Sequence, residues 1–226
     1  MSEELVIPSN PETSIAKADD AMFADLVGGG FLPRLQLQTS NSSVCKSGDF
    51  PVNHYAHVQG KSMKDLGKTV DVYVIAYRAK ALDTSDDLID SYDPSSDVFI
   101  SIKNRANNEQ NSGCMYGPEF LVWNEDIGFA TFFCGSKTAR NIANGIRGAV
   151  PEAGESVTSK GGVTLGSTLI KNKKFEWQAP TVEICTDISG QPTAEEFTAK
   201  LHQFNNPSST SNVETAEEEE TGGREV

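Results

Sequence analysis

FLVWNEDIGFATFF, residues 120–133, is the stretch on which the fold turns. Phe120 to Trp123 and Phe129 to Phe133 are rich in the aromatic and β-branched side chains that suit a pleated, half-buried surface. Between them, Asn124, Glu125, Asp126, Ile127 and Gly128 supply the polar residues and the glycine that reverse a chain, and the whole predicts an antiparallel hairpin.

Working outward, TVDVYVIAY (residues 69–77) predicts a central strand, nearly buried on both faces, with Val70, Val72, Val74 and Ala76 opposing Asp71, Tyr73, Ile75 and Tyr77. Arg34 to Gln38 alternates, Leu35 and Leu37 against Arg34, Gln36 and Gln38, which predicts a half-buried strand, and a short one follows at His54 to Val58. The polar stretch Asp83 to Asn111 reads as a loop with one helix, started by Pro94, Ser95 and Ser96 and carrying Val98, Phe99 and Ile102 at helical spacing.

Downstream of the hairpin, Ser136 is placed to cap a helix that runs to Ala149 and stops before Pro151. Its inward face gathers Ile142, Ala143, Ile146 and Ala149, and its opposite arc carries Lys137, Arg140, Asn144 and Arg147. A second hairpin is expected from Val163 to Ile170 and Phe175 to Ile184, where Pro180 requires an edge strand or a bulge. Thr193 to Glu196 open a last helix ending at Phe204, with Phe197, Leu201 and Phe204 inward. Strands that do not alternate with helices predict a β-rich fold, all-β to α+β. The form expected is an OB-like small barrel or curled antiparallel sheet with two or three appended helices.

A chain of 226 residues is long enough for one good core and too short for two, so one domain is expected. Its net charge of −13 is uneven: residues 1–27 and 207–226 carry −5 each, and removing that −10 leaves −3 for residues 28–206. The expected organisation is an acidic, mostly disordered N-terminal segment (1–27), one β-rich domain (28–206) and a disordered acidic tail (207–226). Within the first segment a short helical turn is expected at Ala18 to Val27, followed by a hinge at Gly28 to Gly30. No apolar run approaches membrane-spanning length, and MSEELVIPSNPE has neither a basic n-region nor an apolar h-region. No membrane partner and a cytoplasmic location are therefore expected, the host cytoplasm if the chain is viral.

Catalytic chemistry finds no support in the residues. Cys45, Cys114, Cys134 and Cys185 match no ligand spacing and read as reduced, mostly buried thiols. His54, His57 and His202 are the only histidine bases, no G-x-S-x-G elbow is present, and Cys45 with His57 would make only half a zinc site. The string GGVTLGST (residues 161–168) imitates a phosphate loop but has Ser167 where the lysine belongs, and reads as a turn. The expectation is a non-enzyme with no cofactor and no metal.

Polar recognition by cations and rings remains. Arg34, Arg78, Lys80, Lys137, Arg140, Arg147, Lys171, Lys173 and Lys174 are candidates to track phosphates. Tyr73, Tyr77, Trp123, Phe129 and Trp177, with Tyr116, are candidates to stack on bases, although most of these rings should be core. Glu217, Glu218, Glu219 and Glu220 form a tail segment that could compete with nucleic acid for a basic groove and, once displaced, recruit partners.

An OB-like core, aromatic hairpins, scattered Lys/Arg and a Ser/Thr/Glu tail together resemble the single-stranded DNA-binding proteins of tailed bacteriophages. GFLPRLQLQTSNS (Gly30 to Ser42) and SGCMYGPEFLVW (Ser112 to Trp123) also look like phage-encoded early proteins. The resemblance implies sequence-independent binding of single-stranded DNA in replication, recombination or repair. It further implies replication or recombination proteins as partners of the tail, with homodimerisation left open. One departure is that the best-known members end in an aromatic or apolar docking residue, whereas this tail ends Gly222, Gly223, Arg224, Glu225, Val226. The competing expectation is a structural or protein-interaction module, a virion component or host-directed inhibitor that binds no nucleic acid.

Overall fold

The computed structural model describes residues 5–6, 32–85, 88–171, 176–186 and 188–207. In chain order the elements are β1 (Arg34–Leu37), α1 (Ser43–Lys46), β2 (Tyr55–Gln59), β3 (Ser62–Asp65), β4 (Val70–Asp83), β5 (Ile89–Ser91), α2 (Asp97–Asn108), β6 (Cys114–Asn124) and β7 (Gly128–Phe133). A 3-10 turn (Ala139–Ile142) then runs into α3 (Ala143–Gly148), followed by β8 (Gly162–Lys171), β9 (Glu176–Cys185) and α4 (Ala194–Asn205). The strands form one curled sheet in the order β3-β2-β1-β7-β6-β4-β8-β9, with β5 paired to the far end of β4. Every pairing is antiparallel except β1 with β7. No helix among the described residues is long and apolar enough to cross a membrane.

The β6–β7 hairpin forms as its sequence dictates. The Asn124 side-chain oxygen accepts from the backbone N–H of Asp126 and Ile127, and Gly128 takes the positive φ of 63° that closes the turn. β4 is the central strand, and it continues past Tyr77 to Asp83 by pairing with β6 along its whole second half. It also carries a bulge: Val74 pairs with Val122 and Ala76 with Leu121, so Ile75 is an extra residue. The strict alternation expected from the sequence therefore fails beyond Val74. Ala76 joins Tyr73 and Ile75 against one core cluster, and Tyr77 moves to the face of Val74 and Phe120.

Both faces of the sheet are covered. On the first, Val72, Val74, Phe120, Val122, Phe132 and Leu165 pack under Ala139, Ala143, Ile146 and Ala149. On the second, Tyr73, Ile75, Leu121, Trp123 and Phe129 pack under Phe197, Leu201 and Phe204 of α4. Leu5 and Val157 close this second core, with the Val157 N–H donating to the Leu5 carbonyl at 2.9 Å. α4 starts as predicted: Thr193 and Glu196 form a reciprocal capping box.

The region after Ser136 is less regular than expected. The Ser136 hydroxyl does accept from the Ala139 N–H at 3.1 Å, but the first turn is 3-10 and the α-helix covers only Ala143 to Gly148. Asn141, Asn144, Gly145 and Gly148 hold helix propensity low here, and burial of the alanines and Ile146 fixes the segment instead. β8 and β9 pair from Gly162–Cys185 to Lys171–Glu176, and β9, with Pro180, is an edge strand. GGVTLGST is not the turn expected of it: from Gly162 on it is the start of β8, paired with β9, and glycine stands at 162 because a Cβ there would meet the Val72 carbonyl oxygen at 2.5 Å. Ala18 to Gly30 and the tail beyond Pro207 lie outside the described residues.

Candidate functional site

Tyr77 stands opposite Phe120, and Tyr116 opposite Ala81 on the same two strands. Two-residue alternation places both rings on the face that carries Phe120 and Val122. The segment 139–148 crosses this face because its alanines and Ile146 are buried there, which leaves Arg147 exposed and Arg140 half-buried beside the sheet. The Arg147 guanidinium carbon sits 4.7 Å from the Tyr77 ring centre, and that of Arg140 sits 4.1 Å from the Tyr116 ring centre. Arg140 is also fixed from below, its Nη1 donating to the carbonyls of Tyr116 at 2.7 Å and Gly135 at 3.0 Å.

α2 forms the other wall. Phe99 and Ile102 bury against Ala81, which brings Lys103 Nζ to 5.7 Å from the Tyr116 ring centre and lets the Tyr116 hydroxyl donate to Asn107 Oδ1 at 3.0 Å. Between the walls lies a shallow cleft of about 120 Å3, bordered by Asn107, Cys114, Gly135, Ser136, Lys137 and Arg140.

Charge on this face is unbalanced. Among the described residues, no carboxylate comes within 4 Å of Lys103, Lys137, Arg140 or Arg147. Asp83 and Glu109 are instead both bonded to Arg105. The hydroxyl and N–H of Ser85, reinforced by Arg105, hold the Asp83 carboxyl down to about 2. Burial pushes the Cys114 thiol up from its ordinary range.

The other predicted residues fall elsewhere. Arg78 and Lys80 occupy the opposite face, where both close on Glu119, only 2% exposed. Arg78 Nε and Nη2 donate to Glu119 Oε2 at 2.8 and 2.6 Å, and Lys80 Nζ donates to Oε1 at 2.8 Å. Arg78 lies between the rings of Tyr92 and Phe204, at 3.8 and 4.2 Å, and its Nη1 donates to the Phe204 carbonyl at the end of α4. These two cations hold a helix down and do not line the Tyr77–Tyr116 face.

Tyr73, Trp123 and Phe129 are buried in the second core, where Tyr73 stacks on Trp123 and its hydroxyl donates to the Ile188 carbonyl at 3.0 Å. Arg34 is exposed, but alternation from Leu35 puts it on the second face as well. Lys171 pairs with Glu176 at 2.8 Å at the end of the β8–β9 hairpin, near the half-buried Trp177. Lys173, Lys174 and Glu217 to Glu220 lie outside the described residues.

Of the predicted cations and rings, the fold therefore brings together Tyr77, Lys137, Arg140 and Arg147, and Tyr116 joins them. Lys103 was missed. It follows Ile102 in a helix whose inward face is readable, but its approach to Tyr116 depends on tertiary placement. The half-site imagined from Cys45 and His57 finds no further ligands: no group of three or more metal-binding side chains occurs among the described residues. His54 Nδ1 lies 2.9 Å from both carboxylate oxygens of Asp65.

No protein family, curated protein or solved structure matches this chain.

Proposed function

We propose that the protein binds single-stranded DNA, without sequence preference and without catalysis, on the face that carries Tyr77 and Tyr116. The setting we propose is phage-type DNA replication, recombination or repair. The observation that carries this reading is the cluster of Lys103, Lys137, Arg140 and Arg147, without a carboxylate within 4 Å among the described residues, around two partly exposed tyrosine rings. Phosphates supply the missing negative charge, and unpaired bases supply flat apolar surface for rings. Binding at four phosphates predicts a log–log salt slope of about −3, since each contact on a single strand contributes about −0.7.

The acidic tail fits the same reading as a competitor. Glu217 to Glu220 can occupy the cationic face until DNA displaces them, and the released tail is then available to replication or recombination proteins. Fluorescence polarisation of labelled oligo-dT at low salt tests the proposal. Micromolar protein should shift the signal, added salt should reverse it, and removal of residues 207–226 should tighten it. No shift at low salt overturns the reading.

A second reading, a protein-interaction module, is favoured by Leu88, Ile89 and Val98, exposed at 65, 45 and 47% on β5, its approach and the first turn of α2. Charges substituted at Leu88 and Val98 would abolish partner binding under that reading and leave oligo-dT binding unchanged under the first.

A further inference from the structure

The two tyrosines on the cationic face are not equivalent. Tyr77 is 46% exposed, and the exposed Arg147 lays its guanidinium on that ring without a carboxylate within 4 Å among the described residues. Tyr116 is half-buried, its hydroxyl is bonded to Asn107, and the guanidinium over it is tied to two backbone carbonyls. A solvent-exposed cation–π contact is weaker than the stack of a base on a ring, so a base can displace Arg147. Hydrogen bonds from a charged donor to two carbonyls resist the same exchange at Arg140.

We infer that Tyr77 is the base-stacking platform of this face, with Arg147 its displaceable cover, while Tyr116 is locked under Arg140 and takes no base. The inference rests on the single-stranded DNA reading and deepens it. In the free protein the Arg147 guanidinium covers part of the Tyr77 ring. When a strand arrives, the base takes the ring and the released guanidinium takes the adjoining phosphate, so one side chain serves both states. A paired and stacked base cannot reach the ring, so the platform selects unpaired strands.

The test uses the full-length chain and two labelled probes of equal length, oligo-dT and an abasic deoxyribose-phosphate oligomer that keeps the charges and lacks the bases. Wild type should prefer oligo-dT. Tyr77→Ala should lose about tenfold or more on oligo-dT and less than twofold on the abasic strand, and Tyr77→Phe should restore binding. Tyr116→Ala should change both probes by the same factor. Arg147→Ala should reduce the salt slope by about 0.7 on both. Far-UV spectra of each variant control for folding.

A base-dependent loss at Tyr116→Ala and not at Tyr77→Ala overturns the inference while the DNA reading stands. Equal affinity of wild type for the two probes also overturns the platform and leaves phosphate binding intact. Failure of wild type to bind either probe overturns both. A labelled oligo-U run in parallel separates RNA from DNA as the source of the strand, and tighter binding of oligo-U than of oligo-dT overturns the assignment to DNA.

Discussion

Glu119 offers the sharpest test of how the second face is held. Its carboxylate accepts from Arg78 at 2.8 and 2.6 Å and from Lys80 at 2.8 Å, with side-chain exposures of 3% for Glu119, 16% for Arg78 and 12% for Lys80. Glu119→Gln keeps the shape, removes the negative charge and leaves two cations out of water with no counterion. Breaking a buried ion pair from one side costs about 3 to 5 kcal/mol. The residual exposure of the two cations places this case near the lower end, at about 3 kcal/mol. With a urea m-value of about 2 kcal/mol/M, the unfolding midpoint should fall by about 1.5 M. Lys80→Met in the Gln background should return part of that loss, because one of the stranded cations is gone. The assay is equilibrium urea unfolding followed by tryptophan fluorescence, since Trp123 lies in the core beneath α4. Hydrogen exchange across residues 194–206 reports the same event locally, because Arg78 also holds the Phe204 carbonyl. A loss under about 1 kcal/mol, or a double variant no more stable than the single one, would refute the view that this cluster is a desolvated clamp.

Three further expectations follow from neighbouring features. Asp83 titrates at about 2 when folded and near 3.8 when unfolded, so its contribution to stability is present above pH 4 and disappears as the pH falls through 2. Asp83→Asn should therefore cost about 2 kcal/mol at pH 7 and only about 0.4 kcal/mol at pH 2, where half of the folded carboxyl is protonated, as read from unfolding curves at both pH values. Cys134 is fully buried and its thiol is pushed up to about 12, so a thiol reagent at pH 8 should leave it unmodified in the native protein and reach it only on unfolding. Peptide mapping after labelling checks this, with Cys45 and Cys185 as the half-exposed comparison. Gly117→Ala would put a Cβ 2.2 Å from the Cys134 carbonyl oxygen and 3.3 Å from Arg140 Cγ, where backbone must move, and should destabilise by about 1 to 3 kcal/mol in thermal unfolding.

Local signals made much of the fold legible. The β6–β7 hairpin, the capping box at Thr193 and the edge position of Pro180 each rest on residues within a few positions of one another. Arg78 and Lys80 show where local reading stops. Basic residues in an alternating stretch read as solvated, and only the register between β4 and β6 places Glu119, 41 residues beyond Arg78, directly opposite. The rings divide for a related reason: Trp123 and Phe129 face each other across the hairpin, but which side of the sheet is covered by α4 is a long-range fact.

The bulge at Ile75 joins these two limits. In an unbroken strand, Tyr77 would share the side of Tyr73 and Ile75, the side closed by Phe197, Leu201 and Phe204. The extra residue keeps Ile75 in that core, turns Ala76 after it, and rotates everything beyond by one position. Tyr77 is thereby sent to the cationic face and Arg78 to Glu119. One inserted residue thus sorts the basic stretch of β4, giving an aromatic ring to the candidate binding surface and a cation to the clamp that holds α4. A period-two reading cannot find that sorting, because the strand obeys its period on both sides of Ile75 and breaks it only there.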